Sequence, residues 1–288
     1  MRDVRLYLTR LGSMDSVMGC YKQSSGATQE WVWKNLFGGR MNLTTTDLCG
    51  ALISDGTQST LLKPSKWLAP GWHDHEASRL FQEHRSPDMH ANYAVYLCAR
   101  ACELVADRTK CVELGEHNGC TRDVFQDRWL QLWEELENWF VHRPSELMPV
   151  QTTNTKPFPH ILFLHWAAIS SNQLCHSASI LLLNTAPKTT KLQQAPTTSA
   201  LWHARRICGI SLANPHQGCL NNAIQPLWVA GRLFSHSSEH RVIVDLIKNI
   251  EAGTGWGVCW RIKDLEHAWG YRISDASMAS PTTNFRSG

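Results

Sequence analysis

The sequence predicts an all-α protein, with one large helical domain that follows an irregular N-terminal extension. Three observations lead to this fold class. From residue 88 onward, apolar side chains recur at steps of three and four residues, which is the period of a helix that buries one face. No alternation with the two-residue period of a β-strand persists over the same region. The helical stretches also end at proline or glycine, the residues that most often stop a helix.

Length and composition exclude several classes of protein. A chain of 288 residues with 43% hydrophobic and 18% charged residues folds around its own core and is not disordered. The net charge of +3 is too small to indicate nucleic-acid binding by the chain as a whole. Residues 1–13 hold no apolar run typical of a signal peptide, so the ten cysteines are expected to be reduced thiols.

The chain divides into three expected regions. Residues 1–75 are interpreted as an irregular or atypical extension, because serine, threonine and glycine are dense there and no helical period persists. Residues 76–275 are expected to form the helical domain, and residues 276–288 a flexible tail. A membrane span is not expected, because the most apolar segment, 161–183, is interrupted by polar residues and a span needs about 20 predominantly apolar ones.

The clearest helix is predicted over 122–142. Its apolar stripe comprises Phe125, Trp129, Leu132, Trp133, Leu136 and Phe140, with Glu134, Glu135 and Glu137 placed outside it, and Pro144 as its stop. Residues 160–184, introduced by Pro159, are interpreted as one buried helix. The other predicted helices span 92–107, 199–213, 220–234 and 239–251, and one begins at 254 or 257 and ends at 269 before Gly270.

One short motif raises the alternative of a zinc-dependent hydrolase. His236, Glu239 and His240 match the H-x-x-E-H pattern, in which two histidines hold zinc and the glutamate acts as general base. The serines around His236 instead indicate a helix start, which places that histidine off the helix. A glutamate in the first turn is also favoured by the helix dipole without any metal. No catalytic or metal-binding residue is therefore predicted.

Cysteine and tryptophan positions give no clear site. Cys98, Cys102, Cys111 and Cys120 contain one loosely spaced pair, but zinc sites normally show two close pairs, and no metal is expected. The thirteen tryptophans indicate aromatic anchors of a large core. The alternative, that some of them line a ligand pocket, stays open for Trp202, Trp228 and Trp256.

Five stretches of the sequence, in order along the chain, form one pattern: NYAVYLCARACELV (92–105), RWLQLWEELENWFVHRPSELMPV (128–150), FPHILFLHWAAISSNQLCHSASILLLN (158–184), WHARRICGISLAN (202–214) and a segment over 223–271 that contains SSEHRVIVDLIKNIE and TGWGVCWRIKDLEHAWGY. Together they resemble the fungal-specific transcription factor domain, which is the helical regulatory region of fungal six-cysteine zinc-cluster transcription factors. The sequence departs from the family pattern in one respect. The two close sets of three cysteines that bind zinc in the DNA-binding module are missing, since Cys20 and Cys49 stand alone.

The resemblance implies a non-catalytic nuclear protein that controls RNA polymerase II transcription of metabolic or secondary-metabolite genes. The missing zinc cluster implies a truncated regulator, a partial gene model or a protein that kept only the regulatory half. Zinc is therefore expected only in the missing module. A further alternative is a stand-alone protein that binds full-length regulators and inhibits them.

The resemblance also implies partners and an effector. The expected partners are the transcription machinery, another regulator, a second copy of the chain or a small-molecule effector, and no membrane. Duplex DNA is expected to bind weakly and without sequence preference at most. Candidate contacts to an effector are the polar side chains set among apolar helices, and the competing interpretation is that they tie helices together. These candidates are His165, Gln173, His176, Arg205 and Arg206.

Overall fold

The computed structural model describes residues 75, 78–79, 86–113 and 115–273, without the side chain of Glu113. These residues form seven α-helices, two short 3-10 helices and one two-stranded sheet, so the predicted all-α class is confirmed. Apart from His75, the predicted extension 1–75 lies outside the described residues, and so does the whole of the predicted tail 276–288. The helices are α1 (Pro87–Glu113), α2 (Arg122–His142), α3 (Trp166–Asn184), α4 (Ala200–Ala213), α5 (Gln217–Gly231), α6 (Ser237–Thr254) and α7 (Trp260–Trp269).

Local signals place several helix ends where the sequence predicts them. Thr121 caps α2 by accepting a hydrogen bond from the backbone N–H of Val124. Gly270 follows α7 in the left-handed conformation, with φ of 80°, which a residue with a Cβ rarely adopts. α1 is longer than the predicted 92–107, because Pro87 can occupy a first helical position. α5 begins and ends three residues earlier than predicted and continues through Pro226.

The prediction of one helix over 160–184 is wrong at its start. Residues His160–Leu162 form strand β2, which pairs antiparallel with β1 (Gln151–Thr153), and the helix begins only at Trp166. Ile161 and Phe163 are buried while their neighbours face outward, so this segment has the alternation of a strand. A short apolar run of this kind fits either structure by periodicity alone. The pairing with β1, which only the folded chain shows, makes this segment a strand.

α3 is the central helix of the described part of the chain. Every residue from Ala167 to Leu182 is buried, and α1, α2, α4 and α5 all contact it. α1 and α2 form a hydrophobic cluster with residues along the length of α3 on one side. α4, α5, α6 and α7 form a second cluster on the other. Because α3 is buried on all faces, its polar side chains must find partners inside the protein. No helix among the described residues is long and apolar enough to cross a membrane.

Glu135 lies outside the buried stripe of α2, as predicted, but its carboxylate is largely shielded from water. Its carboxylate is only 12% exposed, forms an ion pair with Arg100 of α1, and accepts hydrogen bonds from Tyr93 and Ser78 at 2.9 Å each. The buried stripe of α2 includes Trp139 in addition to the predicted positions, while Phe140 is half-buried. Glu135 borders this wider stripe, and the basic and hydroxyl groups of α1 supply the partners that a buried carboxylate needs.

Candidate functional site

Two buried histidines meet at the junction of α2, α3 and α4. His176 lies in the middle of α3 and His203 in the first turn of α4, and their Nδ1 atoms are 2.8 Å apart. Each residue is 2% exposed. The ring of Phe140, in the last turn of α2, lies 4.9 Å from the ring of His176, and the indole of Trp202 lies 5.7 Å from it. Three helices therefore contribute to one polar spot in an otherwise apolar interface.

The hydrogen bonds assign the tautomers of the two rings. Nε2 of His203 lies 2.8 Å from the backbone carbonyl oxygen of Thr197, which can only accept, so Nε2 carries a proton and donates it. In the neutral ring, Nδ1 of His203 is then an acceptor. The Nδ1–H of His176 must donate to it, which leaves Nε2 of His176 with a lone pair. His176 thus donates a hydrogen bond to His203, and His203 donates one to the backbone carbonyl oxygen of Thr197.

Burial keeps both histidines neutral at physiological pH. Burial lowers the pKa of His203 to about 4. The positive charge of Arg206 also lowers this pKa, whereas the hydrogen bond to the carbonyl oxygen of Thr197 raises it without offsetting burial. The pKa of His176 lies well below its ordinary value, first because of burial and then because of the positive charges around it, including Arg206 and Arg143. The positive charge of this site therefore belongs to the two arginines and not to the histidines.

Arg143 and Arg206 both stack on aromatic rings beside the histidine pair. The guanidinium carbon of Arg206 lies 4.7 Å from the ring centre of Trp202. That of Arg143 lies 5.7 Å from Trp139 and 5.4 Å from Phe140, and its Nη1 donates to the side-chain oxygen of Asn172 at 2.8 Å. Such contacts orient a guanidinium and stabilise it, but they do not neutralise its charge.

Gln173 extends the polar spot along the interface of α3 and α4. It is fully buried, and its side-chain amide donates to the hydroxyl oxygen of Ser211 at 2.8 Å. Its carbonyl oxygen, Oε1, has no hydrogen-bond partner. His176 follows Gln173 by three residues, which places both on the same face of α3. Gln173 therefore offers an acceptor next to the histidine pair.

The structure groups some of the predicted effector contacts and separates others. Gln173, His176 and Arg206 come together at the histidine pair. Arg205, the neighbour of Arg206, extends in another direction and forms an ion pair with Glu239 at 2.9 Å. His165 does not lie within a helix, because it precedes the first residue of α3 as the N-cap, where its ring stacks on Trp166. His165 and Arg205 therefore do not contribute to this group.

The three tryptophans proposed for a pocket have different environments. Trp202 contacts His176, His203 and Arg206 and so belongs to the group around the histidine pair. Trp228 is buried beside Arg261, whose guanidinium carbon is 4.5 Å from its ring centre. Trp256 is 49% exposed in the turn after α6. Of the three, Trp202 stays a candidate contact.

The side chains of the H-x-x-E-H pattern do not converge. His236 is the N-cap of α6, as expected from its position off the helix, and its Nδ1 contacts Ser238. Glu239 pairs with Arg205. Both ring nitrogens of His240 are engaged, Nδ1 with the hydroxyl of Tyr271 at 2.6 Å and Nε2 with the carbonyl oxygen of Phe234 at 2.9 Å. This geometry offers no support for the hydrolase alternative.

No metal site is evident in the described part of the chain, where no group of three histidine, cysteine or acidic side chains is placed to hold an ion. The eight cysteines described there are free thiols. Cys20 and Cys49, together with the basic side chains of residues 1–70, lie outside the described residues.

Arg143 and His203 were not among the site residues predicted from the sequence. His203 precedes Arg206 by three residues on α4, so helical spacing alone could have placed both on one face. Arg143 gives no such signal, because it follows the last residue of α2 as the C-cap. Its hydrogen bond to Asn172, 29 residues away, and its contact with Phe140 bring it to the histidine pair.

Comparison with known proteins gives one informative similarity. Over 67 residues, the chain is 39% identical to a protein of Alternaria alternata described as "Transcription activator AMTR1". This segment is 23% of the present chain and 9% of that activator, so the chain spans only a small part of the relative's length. No family model and no solved structure matches the chain. The similarity relates the chain to a fungal transcription factor.

Proposed function

We propose that this chain is a non-catalytic regulatory domain of a fungal transcription factor of the zinc-cluster type, which acts in the nucleus on metabolic or secondary-metabolite genes transcribed by RNA polymerase II. The similarity to a fungal transcription activator carries the proposal. The all-helical fold, with a polar group at the junction of three helices, is compatible with regulation by binding. The partner is the transcription machinery or another regulator.

The proposed mechanism is a shift between two packings of the helices. A ligand that contacts α2, α3 and α4 together favours the packing in which these contacts are complete, and it stabilises that packing by its difference in affinity. The junction suits this role because its polar groups lie where three helices meet, and because Gln173 keeps an unpaired acceptor there.

A tethered reporter assay tests the regulatory function. The whole chain is fused to an unrelated DNA-binding domain in a fungal host, and transcription from a promoter that carries the matching DNA site is measured. We expect transcription to differ from that with the DNA-binding domain alone, and a fluorescent tag on the unfused chain to accumulate in the nucleus. The control is Ile207→Asp, which places a charge in the core at a fully buried position and should abolish the effect.

Two outcomes would overturn the proposal. One is unchanged transcription with a fusion that is stable and nuclear. The other is reduced transcription only when the unfused chain is expressed beside a full-length regulator, which would favour the stand-alone inhibitor instead.

A further inference from the structure

The two arginines beside the histidine pair, Arg143 and Arg206, form no ion pair with a described carboxylate, unlike several other described arginines. Arg100, Arg128, Arg205 and Arg261 each form an ion pair with an acidic side chain. Among the described residues, neither Arg143 nor Arg206 has a carboxylate within ion-pair distance. Both are only partly exposed, and the Nε atom of each is buried without a hydrogen-bond partner.

Two like charges in this position are unfavourable without a counter-charge. Burial is the main cause that lowers the pKa of both guanidinium groups, and the charge of Arg206 further lowers that of Arg143. Arg143 stacks on Phe140 and Arg206 stacks on Trp202, and both of these rings lie beside His176, so the two charges belong to one partly buried site where water screens them incompletely. The neutral histidine pair beside them adds no charge of either sign. An anion at this junction would offset the repulsion.

The groups around the arginines are suited to a small organic anion. Guanidinium groups bind carboxylates and phosphates through paired N–H donors, and the aromatic rings of Trp202 and Phe140 hold the two guanidinium groups in fixed orientations. Gln173 supplies an unpaired acceptor, which fits a hydroxyl or amine hydrogen on the same molecule. Ligand sites in helical proteins commonly lie between helices, with few polar groups among apolar ones.

We propose that Arg143 and Arg206 form a binding site for a small organic anion, a carboxylate or a phosphate ester, at the junction of α2, α3 and α4. This inference deepens the proposed function, since it names the chemical class of the effector. The anion lies between the two guanidinium groups. It thereby links the end of α2 to α4 across α3, and so favours one packing of the three helices.

Calorimetric titration of the full chain tests this site with three probes of similar size. Benzoate carries a carboxylate, phenyl phosphate carries a phosphate ester, and benzamide is the neutral counterpart of benzoate. We expect at least one of the two anions to bind and benzamide not to bind. The anion that binds more tightly distinguishes a carboxylate effector from a phosphorylated one.

Variants of the arginines provide the second comparison. Arg206→Gln and Arg143→Gln should each weaken anion binding by about tenfold or more, the loss expected when a charged hydrogen bond is removed. Arg206→Lys keeps the charge and should retain part of the affinity. The matched control is Arg205→Gln, which removes a neighbouring charge that is directed at Glu239 and should leave anion affinity unchanged. If circular dichroism shows that Arg143→Gln does not fold, the test of the anion site depends on the variants of Arg206.

Three results would overturn the inference: benzamide binding as tightly as benzoate, wild-type anion affinity in Arg206→Gln, or no binding of either anion. These results are separate from the reporter assay. If no anion binds but the tethered chain still changes transcription, the anion site is wrong and the regulatory function stands. If the anion binds as described and transcription does not change, the anion site is correct and the proposed regulatory function is wrong.

Discussion

Gly209 in the middle of α4 provides a sharp test of the packing. Replacing a glycine by alanine within a helix usually stabilises the protein, but at Gly209 it should destabilise it. In a helix interior, alanine is favoured over glycine by about 1 kcal/mol. A Cβ added at Gly209 would overlap the backbone carbonyl oxygen of Pro159 and would lie 3.1 Å from its carbonyl carbon. The obstacle is backbone and cannot rotate away as a side chain can. α4 and the segment before β2 would have to move apart.

The expected magnitude follows from these two opposing contributions. Overpacking a core typically costs about 1–3 kcal/mol, and a contact this short with backbone belongs at the upper end of that range. Subtracting the propensity gain of about 1 kcal/mol leaves Gly209→Ala less stable than the wild type by about 2 kcal/mol. For a chain of this size, such a loss lowers the melting temperature by roughly 4–8 °C.

Gly253 in the last turn of α6 offers a matched control. A Cβ there would meet only a methyl carbon of Leu220 at 3.4 Å, which is an ordinary contact distance. Gly253→Ala should therefore leave stability unchanged or raise it by up to about 1 kcal/mol. Both variants are compared by urea unfolding followed by circular dichroism at 222 nm, the standard wavelength for helix. If Gly209→Ala is as stable as Gly253→Ala, then α4 does not pack as closely on Pro159 as the structure shows.

The remaining predictions concern the core, pH, zinc and DNA. Trp133 stacks on Trp129 with ring centres 5.5 Å apart, so Trp133→Ala should cost about 3–5 kcal/mol. The same change at Val141, which is 68% exposed, should have little effect on the melting temperature. The lowered pKa of His203, about 4 against 6.5, means that below pH 6.5 the unfolded chain binds a proton that the folded chain does not. Stability should therefore fall as pH falls from 6.5 towards 4, by about 2 kcal/mol from this group at about pH 5, and urea unfolding of His203→Gln should show a shallower pH dependence. Metal analysis after dialysis should find zinc below stoichiometric amounts, and one or two zinc ions per chain would contradict the absence of a close cysteine pair. Residues 150–288 carry 12 basic and 6 acidic side chains, so duplex DNA should bind only non-specifically, at about 10⁻⁴–10⁻⁶ M, and selection from a random DNA pool should enrich no motif. A motif that disappears when residues 1–70 are deleted would contradict this last prediction and assign DNA binding to that region.

Much of the fold was predictable because the signals for helices are local. The bounds of α2 agree with its periodicity, its capping Thr121 and the stop at Pro144, and Gly270 ends α7 as expected. Capping and hydrophobic spacing act within a turn or two of the chain, so they are visible in the sequence. The strand at His160–Leu162 was not predictable in this way. It depends on pairing with β1 across a connecting loop and on hydrogen bonds between Asn214 and the backbone of Ile161 and Phe163, which lie more than 50 residues away from Asn214.

The candidate site was predictable only in part. A polar side chain on an apolar helix indicates a buried position, which is why Gln173, His176 and Arg206 could be named from the sequence. That same pattern could not tell Arg206 from Arg205, although one lies beside the histidine pair and the other pairs with Glu239. Adjacent residues on a helix point about 100° apart, and small differences in the packing of α4 decide which of the two faces the junction.

The sequence by itself determined the all-helical class, several helix ends and some of the polar residues that are buried. The tertiary structure alone decided which of these residues meet. His176 and His203 are 27 residues apart, and Arg143 and Asn172 are 29 apart. Nothing in the local energy of either segment favours these pairs. They form because α3 is buried on every face, so that each polar group on it must be satisfied by whichever neighbouring helix packs against that face.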